Sequence, residues 1–188
     1  MGKVILSISM SLDGFIAGPN ISVKDPLGEN GMRLHDWIFA GKTDADLKII
    51  EELMEGSGAV IVGGRTYDLG IDGGWGGKSP FPMPAVVITK SIPDKSVEGF
   101  NYINGFENAL KEAKKIASDK NIWVMGGANI AQQFIKAKLI DEIQINLAPL
   151  LLGKGTRLFE DDGYLVGLEK IRVVETPAAM HIKYRVKR

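Results

Sequence analysis

Three short runs stand directly behind apolar stretches, and each offers groups that hold phosphate. Gly63-Gly64-Arg65-Thr66-Tyr67 follows Ala59 to Val62, Thr89-Lys90-Ser91 closes the stretch Ala85 to Thr89, and Gly126-Gly127-Ala128-Asn129 follows Ile122 to Met125. Glycine lets an anion approach the backbone, and the free amides and positive dipole end of a following helix point at it. Thr89, Lys90 and Ser91 add two hydroxyls and an ammonium. Each run alone has a plainer reading, as a tight turn or a solvated loop, and the Gly126 run lacks the third glycine of a G-x-G-x-x-G fingerprint. In an open α/β sheet, however, ligands bind outside the carboxyl ends of the strands. Three such ends along one sheet point to one extended, multiply charged ligand.

Carboxylates and imidazoles supply the proton chemistry. Asp13-Gly14 lies just after the first apolar run, in Ser9-Met10-Ser11-Leu12-Asp13-Gly14-Phe15-Ile16-Ala17, where a polar group would face the same crevice; the dipeptide also suits a plain turn. Asp46, three residues after Thr43, reads first as a helix cap. His35-Asp36-Trp37 admits a proton-transfer role or a rim contact. Gly77-Lys78-Ser79 copies the end of a P-loop, but Asp72 stands where its first glycine belongs, and Pro80, Pro82 and Pro84 exclude the helix it needs. No cysteine is present, which removes thiolate nucleophiles, cysteine metal sites and disulfides.

Apolar runs at Val4 to Met10, Ala59 to Val62, Ala85 to Thr89, Ile122 to Met125 and Glu142 to Leu147 predict the strands that carry these groups. Thr43 and Asp46 open a helix whose stripe is Leu47, Ile50, Leu53 and Met54, and Gly56 and Gly58 stop it. Asn104 with Glu107 opens a second, with Phe106, Ala109, Leu110, Ala113, Ile116 and Ala117 on one face. A third starts near Asn129 and covers Ile130 to Ala137. Continuous apolar strands alternating with helices predict a mostly parallel sheet covered on both faces. Gly167 to Glu175 and His181 to Val186 alternate in polarity around Thr176-Pro177, which predicts an antiparallel hairpin at one edge. The expected fold class is a three-layer α/β domain over 1–188. Gly18 to Gly31 and Gly70 to Pro84 are long loops, candidates for the rim of a site.

The chain of 188 residues is 45% hydrophobic and carries 23 basic against 23 acidic residues. Such balance argues against a nucleic-acid groove or a polybasic membrane patch. Met1 to Met10 lacks the charged flank and long apolar run of a signal peptide, and Leu6 breaks the myristoylation pattern, so the expected location is the cytoplasm.

Taken together, the Ser-Leu-Asp-Gly-Phe-Ile-Ala segment, Gly63 to Tyr67, Gly126 to Asn129 and the stretch Leu150 to Phe159 resemble the dihydrofolate-reductase-like superfamily. More narrowly, they are similar to the reductase domain of the bifunctional riboflavin-biosynthesis deaminase-reductase. The resemblance implies a mostly parallel sheet with an antiparallel C-terminal edge, NADPH as cofactor and a homodimer. It also implies that Gly63 and Thr66 approach the pyrophosphate and that Thr89, Lys90 and Ser91 take the adenosine end, Lys90 pairing with the 2′-phosphate. Gly126, Gly127, Ala128, Asn129 and Ile130 would hold the diphosphate and adjoining ribose, and Ser9, Ile16 and Ala17 the nicotinamide. The usual Gly-Arg-x-Thr-Tyr run is altered here, with Gly64 at the expected arginine position and Arg65 one place later. In the folate enzymes an acid on the first helix supports protonation, and Asp46 lies comparably placed.

The expected activity is hydride transfer from NADPH to a small heterocyclic or carbonyl substrate, with Asp13 orienting substrate or a relay water and Asp46 as second choice for the proton. The alternatives are a nucleotide-binding sensor without catalysis and a flavin-binding protein.

Overall fold

The computed structural model describes residues 2–93, 95–160 and 165–187. Its main sheet has the order β5-β4-β3-β6-β1-β7-β10-β9. The first six of these are parallel: Phe100–Ile103, Ala85–Ile88, Ser57–Gly63, Asn121–Gly126, Val4–Ser11 and Glu142–Ala148. The last two, β10 (Met180–Val186) and β9 (Leu168–Glu175), run antiparallel and close one edge. This is the expected three-layer α/β arrangement, with one parallel strand more: β5 has no continuous apolar run, since its residues after Phe100 are exposed or half-buried. A small second sheet pairs β2 (Phe15–Ala17) with β8 (Thr156–Arg157).

Helices cover both faces. On one, α4 (Phe106–Ala117) and α5 (Ala128–Lys136) bury Ala109, Leu110, Ala113, Phe134 and Ile135 against Leu6, Ile61 and Val124. On the other, α2 (Asp44–Gly56) and α3 (Gly64–Ile71) bring Leu53 and Tyr67 onto Val60, Val62, Val87 and Trp123. Strands β3, β4 and β6 are mostly apolar because neither face meets water, whereas β1 and β7 also bury Ser7, Ser9, Gln144 and Asn146.

Local chemistry explains two starts. Thr43 and Asp46 form a reciprocal capping box at α2, as their spacing predicts. At α4 the expected cap is corrected. Gly105 takes the N-cap position with φ 84°, a left-handed value that glycine tolerates, and the Asn104 carbonyl instead accepts from the Asn108 amide at 3.2 Å. Two further pieces lie before α2: a 3-10 turn, Gly31–His35, and the single turn α1, Asp36–Phe39. Helix α3 extends through Ile71, so the loop expected from Gly70 begins after it.

Candidate active site

Strands β4, β3, β6 and β1 are neighbours and parallel, so their carboxyl ends share one rim. A cleft of about 1380 Å3 runs along it. Of the residues expected in a site, Ser9, Ile16, Ala17, Gly63, Thr66, Thr89, Lys90, Gly127, Ala128, Asn129 and Ile130 border this cleft. Ser91, Gly126, Asp13 and Asp46 do not.

The glycines of the rim stand where neighbouring atoms approach closely. A Cβ on Gly63 would lie 3.0 Å from Ile130, one on Gly64 3.1 Å from the Ile88 carbonyl, and one on Gly127 3.2 Å from Thr66 Oγ1. Gly64 lets the start of α3 press on the end of β4, an approach that a side chain at that position would tighten. Thr66 Oγ1 accepts from the Gly127 amide at 3.1 Å and ties the β3–α3 junction to the β6–α5 junction. Gly126 takes φ 111°, and the Gly126–Gly127 peptide is cis. Thr89 Oγ1 donates to the Ser91 carbonyl at 2.9 Å and accepts from the Ser91 amide at 3.3 Å. That turn leaves Lys90 on the cleft and Ser91 outside it.

Asp13 sits elsewhere. Its carboxylate accepts from Ser11 Oγ at 2.5 Å, from the Leu152 amide at 3.1 Å and from the Gly153 amide at 2.7 Å. The Ser11 hydroxyl first, and then the two amides, hold its carboxyl at about 2, well below the usual range. With its oxygens occupied by the β1–β2 turn and the 150–153 loop, Asp13 is a clasp between two loops. Asp13 does not border the cleft, so its expected orientation of substrate would act through this clasp. Arg157 completes the clasp, donating to the Asp13 carbonyl at 3.2 Å and lying 4.5 Å over the Phe15 ring.

Asp46 is sealed beneath the cleft, 1% exposed. Its Oδ2 accepts from the Thr43 amide and hydroxyl, and its Oδ1 from Thr176 Oγ1 at 2.8 Å. His181 Nε2 lies 2.8 Å from the same Oδ1, and His181 Nδ1 lies 2.8 Å from Asn146 Oδ1. Burial pushes the Asp46 carboxyl up, but these hydrogen bonds outweigh burial and keep it below its ordinary value. An ionised carboxylate is only an acceptor, so the His181 Nε2–H donates to it. Hydrogen bonds therefore link Asp46 to the cleft through His181 and then Asn146, which borders it.

Of the aromatic residues bordering the cleft, Trp75, Phe81 and Trp123 were not singled out in sequence, whereas Trp37 belongs to the His35-Asp36-Trp37 run expected at the rim. Trp123 Nε1 donates to the Ser7 carbonyl at 3.0 Å, and Trp37 Nε1 to Ser9 Oγ at 2.9 Å. Trp75 and Phe81, from the 72–84 loop, meet edge to face at 5.5 Å, and Phe81 meets Trp123 at 5.6 Å. Gly70 makes this possible, since a Cβ there would lie 2.5 Å from the Trp75 ring. Only the tryptophans themselves signalled such a wall, and nothing in their spacing placed them together. His35 also borders the cleft, with Nδ1 buried and unpartnered, and burial holds its imidazole down at about 4, neutral at physiological pH.

A family model described as the RibD C-terminal domain matches residues 2–182. The chain is 27% identical to protein YyaP of Bacillus subtilis over 185 residues, covering 90% of this chain and 86% of that one. It is 30% identical to protein YwjB of the same organism over 166 residues, covering 85% and 83%. Among solved structures it resembles a candidate riboflavin biosynthesis protein of Shewanella sp. PV-4, with TM-score 0.76, 22% identity and 99% of both chains covered. It also resembles the dihydrofolate reductase of Enterococcus faecalis in complex with NADP(H), with TM-score 0.65, 19% identity, and 98% and 97% covered.

Proposed function

The chain belongs to the family of RibD C-terminal domains, and from that premise we propose that it is an NADPH-dependent reductase of a small heterocyclic or carbonyl substrate. One observation carries the reading: four adjacent parallel strands end on a single rim where Gly63, Gly64 and Gly127 stand at close approaches, a Cβ at each meeting a neighbour at 3.0 to 3.2 Å. A cleft of about 1380 Å3 exceeds the roughly 300–1,000 Å3 of a site for one small molecule and has room for two ligands side by side.

The residues present fit a dinucleotide. Gly63, Thr66, Gly127 and Asn129 would hold its diphosphate at the starts of α3 and α5, and Lys90 would meet the 2′-phosphate that distinguishes NADPH from NADH. Ser9, Ile16 and Ala17 would flank the nicotinamide. When bound, the cofactor supplies a hydride. The chain positions the acceptor against it, excludes water with the Trp37, Trp75, Phe81 and Trp123 wall, and holds a buried carboxylate, Asp46, in hydrogen-bonded continuity with Asn146 at the cleft. The homodimer implied by the resemblance and the cytoplasmic location expected from the first residues belong to the same proposal; among the described residues no helix is long and apolar enough to cross a membrane.

Titration with NADPH, followed by tryptophan fluorescence, tests the reading. Saturable quenching and oxidation of NADPH with a pterin, a ribosylaminopyrimidine or a small carbonyl support it. The absence of saturation overturns it, and saturation without turnover on any of these substrates favours the sensor.

A further inference from the structure

The register of the sheet sets Asn146 of β7 between Ser9 of β1 and His181 of β10. Ser9 and Asn146 border the cleft, whereas His181, 2% exposed, does not. Asn146 turns its amide oxygen to His181 Nδ1 at 2.8 Å, and Asp46 Oδ1 stands 2.8 Å from the other ring nitrogen. Both oxygens are acceptors, so both ring nitrogens donate, as only an imidazolium does. The Asp46 carboxylate supplies the counter-charge that a buried cation requires. The other groups facing the ring are Trp37 of α1, with ring centroids 4.8 Å apart, and Val174 of β9. Further along the same face, Lys183 pairs with Glu142 and Arg172 with Glu52, both at 2.8 Å, so these charges are balanced among themselves.

With its oxygen engaged by His181, Asn146 has its amide N–H groups left. Its Nδ2 has no hydrogen-bond partner among the described residues, and it is not one of the sealed polar atoms, so it opens on the cleft that Asn146 borders. The opposite orientation of the amide would need a bare His181 Nδ1 and would show the cleft an acceptor instead. The charge on His181 therefore decides which hydrogen-bonding character Asn146 presents. A carboxamide has no titratable proton in the range where Asp and His titrate, so the series Asp46, His181, Asn146 fixes an orientation and hands no proton to the cleft.

Resting on the reductase reading, we propose that Asn146 is a specificity-determining residue: held by doubly protonated His181 and ionised Asp46, it presents an N–H donor to the cleft and selects substrates that bring a hydrogen-bond acceptor to it. His181 and Asp46 are positioning residues in this arrangement. Ser9, its neighbour in register, is assigned to the nicotinamide, so the donor stands at the reacting end of the cleft. The acceptor it takes is a carbonyl oxygen or a bare ring nitrogen. A site built to hydrogen-bond such an atom rejects an analogue without it, because its own polar group is then left unpaired.

Nitrogen-15 spectra of the histidine rings in the intact protein at pH 7 read the first link. Both ring nitrogens of His181 should be protonated; one bare nitrogen would turn the amide over and overturn the proposal, whatever the variants do. Pterin, whose edge carries a carbonyl and bare ring nitrogens, is then titrated into the wild type, Asn146→Ala and Asn146→Asp, without cofactor and with saturating NADPH. All three tryptophans, Trp37, Trp75 and Trp123, border the cleft, so their fluorescence reports occupancy. Alanine leaves space for a water that can donate, whereas aspartate sets an acceptor against an acceptor. The Kd for pterin should therefore rise from wild type to Asn146→Ala to Asn146→Asp, by at least about tenfold overall, or roughly 1.4 kcal/mol. Equal losses in the two variants, as a merely structural role would give, overturn the proposal, as does failure of pterin to bind the wild type. If NADPH fails to bind while pterin shows the order, the reductase reading falls and the donor stands. If NADPH binds and the order is absent, only this inference falls.

Discussion

His181 Nε2 stands 2.8 Å from Asp46 Oδ1, with both side chains 1% exposed. The pair joins the start of α2 to the antiparallel edge of the sheet, because β10 places His181 opposite Asn146 of β7. Removing the imidazole takes one hydrogen bond from the buried Asp46 carboxylate, which keeps its Thr43 and Thr176 donors, and is typically destabilising by about 1–3 kcal/mol. His181→Leu should therefore lower unfolding stability in urea by that amount, since Asp46 stays ionised. The double variant with Asp46→Asn should lose clearly less than the sum of the single losses. Additive losses would show that the two side chains are not energetically coupled.

Asp13→Asn tests the clasp. The neutral amide cannot accept from the Leu152 and Gly153 amides as the carboxylate does, so these two protons should exchange faster in the variant. Because Asp13 lies outside the cleft, turnover at saturating substrate should change little. A large fall in kcat with unchanged exchange would return Asp13 to the proton chemistry.

Lys90→Gln tests the adenosine end. If Lys90 pairs with a 2′-phosphate, the Kd for NADPH should rise about tenfold, equivalent to about 1.4 kcal/mol, with the Kd for NADH unchanged. The wild-type preference should also weaken as salt is added, since Lys90 is exposed. Equal losses for both dinucleotides would place Lys90 outside the phosphate contact.

The sheet was legible because strands buried on both faces become continuous apolar runs, as in Ala59 to Val62 and Ile122 to Met125. Phe100–Ile103 escaped this rule as a parallel strand with one neighbour, β4, and a half-exposed surface. Helix α3 was hidden because Gly64, Thr66 and Gly70 are poor helix formers, and the packing of Tyr67 on Phe100, at 4.9 Å, overrides propensity. The rim was legible for a topological reason: in a parallel sheet every strand end faces the same crevice. Asp46 meets His181 across 135 residues, and only the register of β10 on β7 brings them together. The aromatic wall likewise depends on the 72–84 loop folding back over Gly70, which composition alone does not encode.

His35 gives a pH dependence whose sign follows from burial. Its imidazole falls from an ordinary 6.5 to about 4 in the folded chain, because desolvation disfavours the charged form more than Asp36 favours it. Between these two values the unfolded chain binds a proton that the folded chain does not, so stability is full above pH 6.5 and declines as pH falls toward 4. Below that both states are protonated and this contribution levels off. The whole effect is on the order of 3 kcal/mol, since each tenfold change in proton affinity is worth about 1.36 kcal/mol. Glu142, Asp46 and Asp13, whose carboxyls lie below their ordinary values, lose their contributions only from the usual carboxylate range downward, and the comparison with His35→Gln cancels them. In urea titrations across this window the variant should show a flatter profile than the wild type. Parallel profiles would mean that His35 titrates normally and meets water in the folded chain.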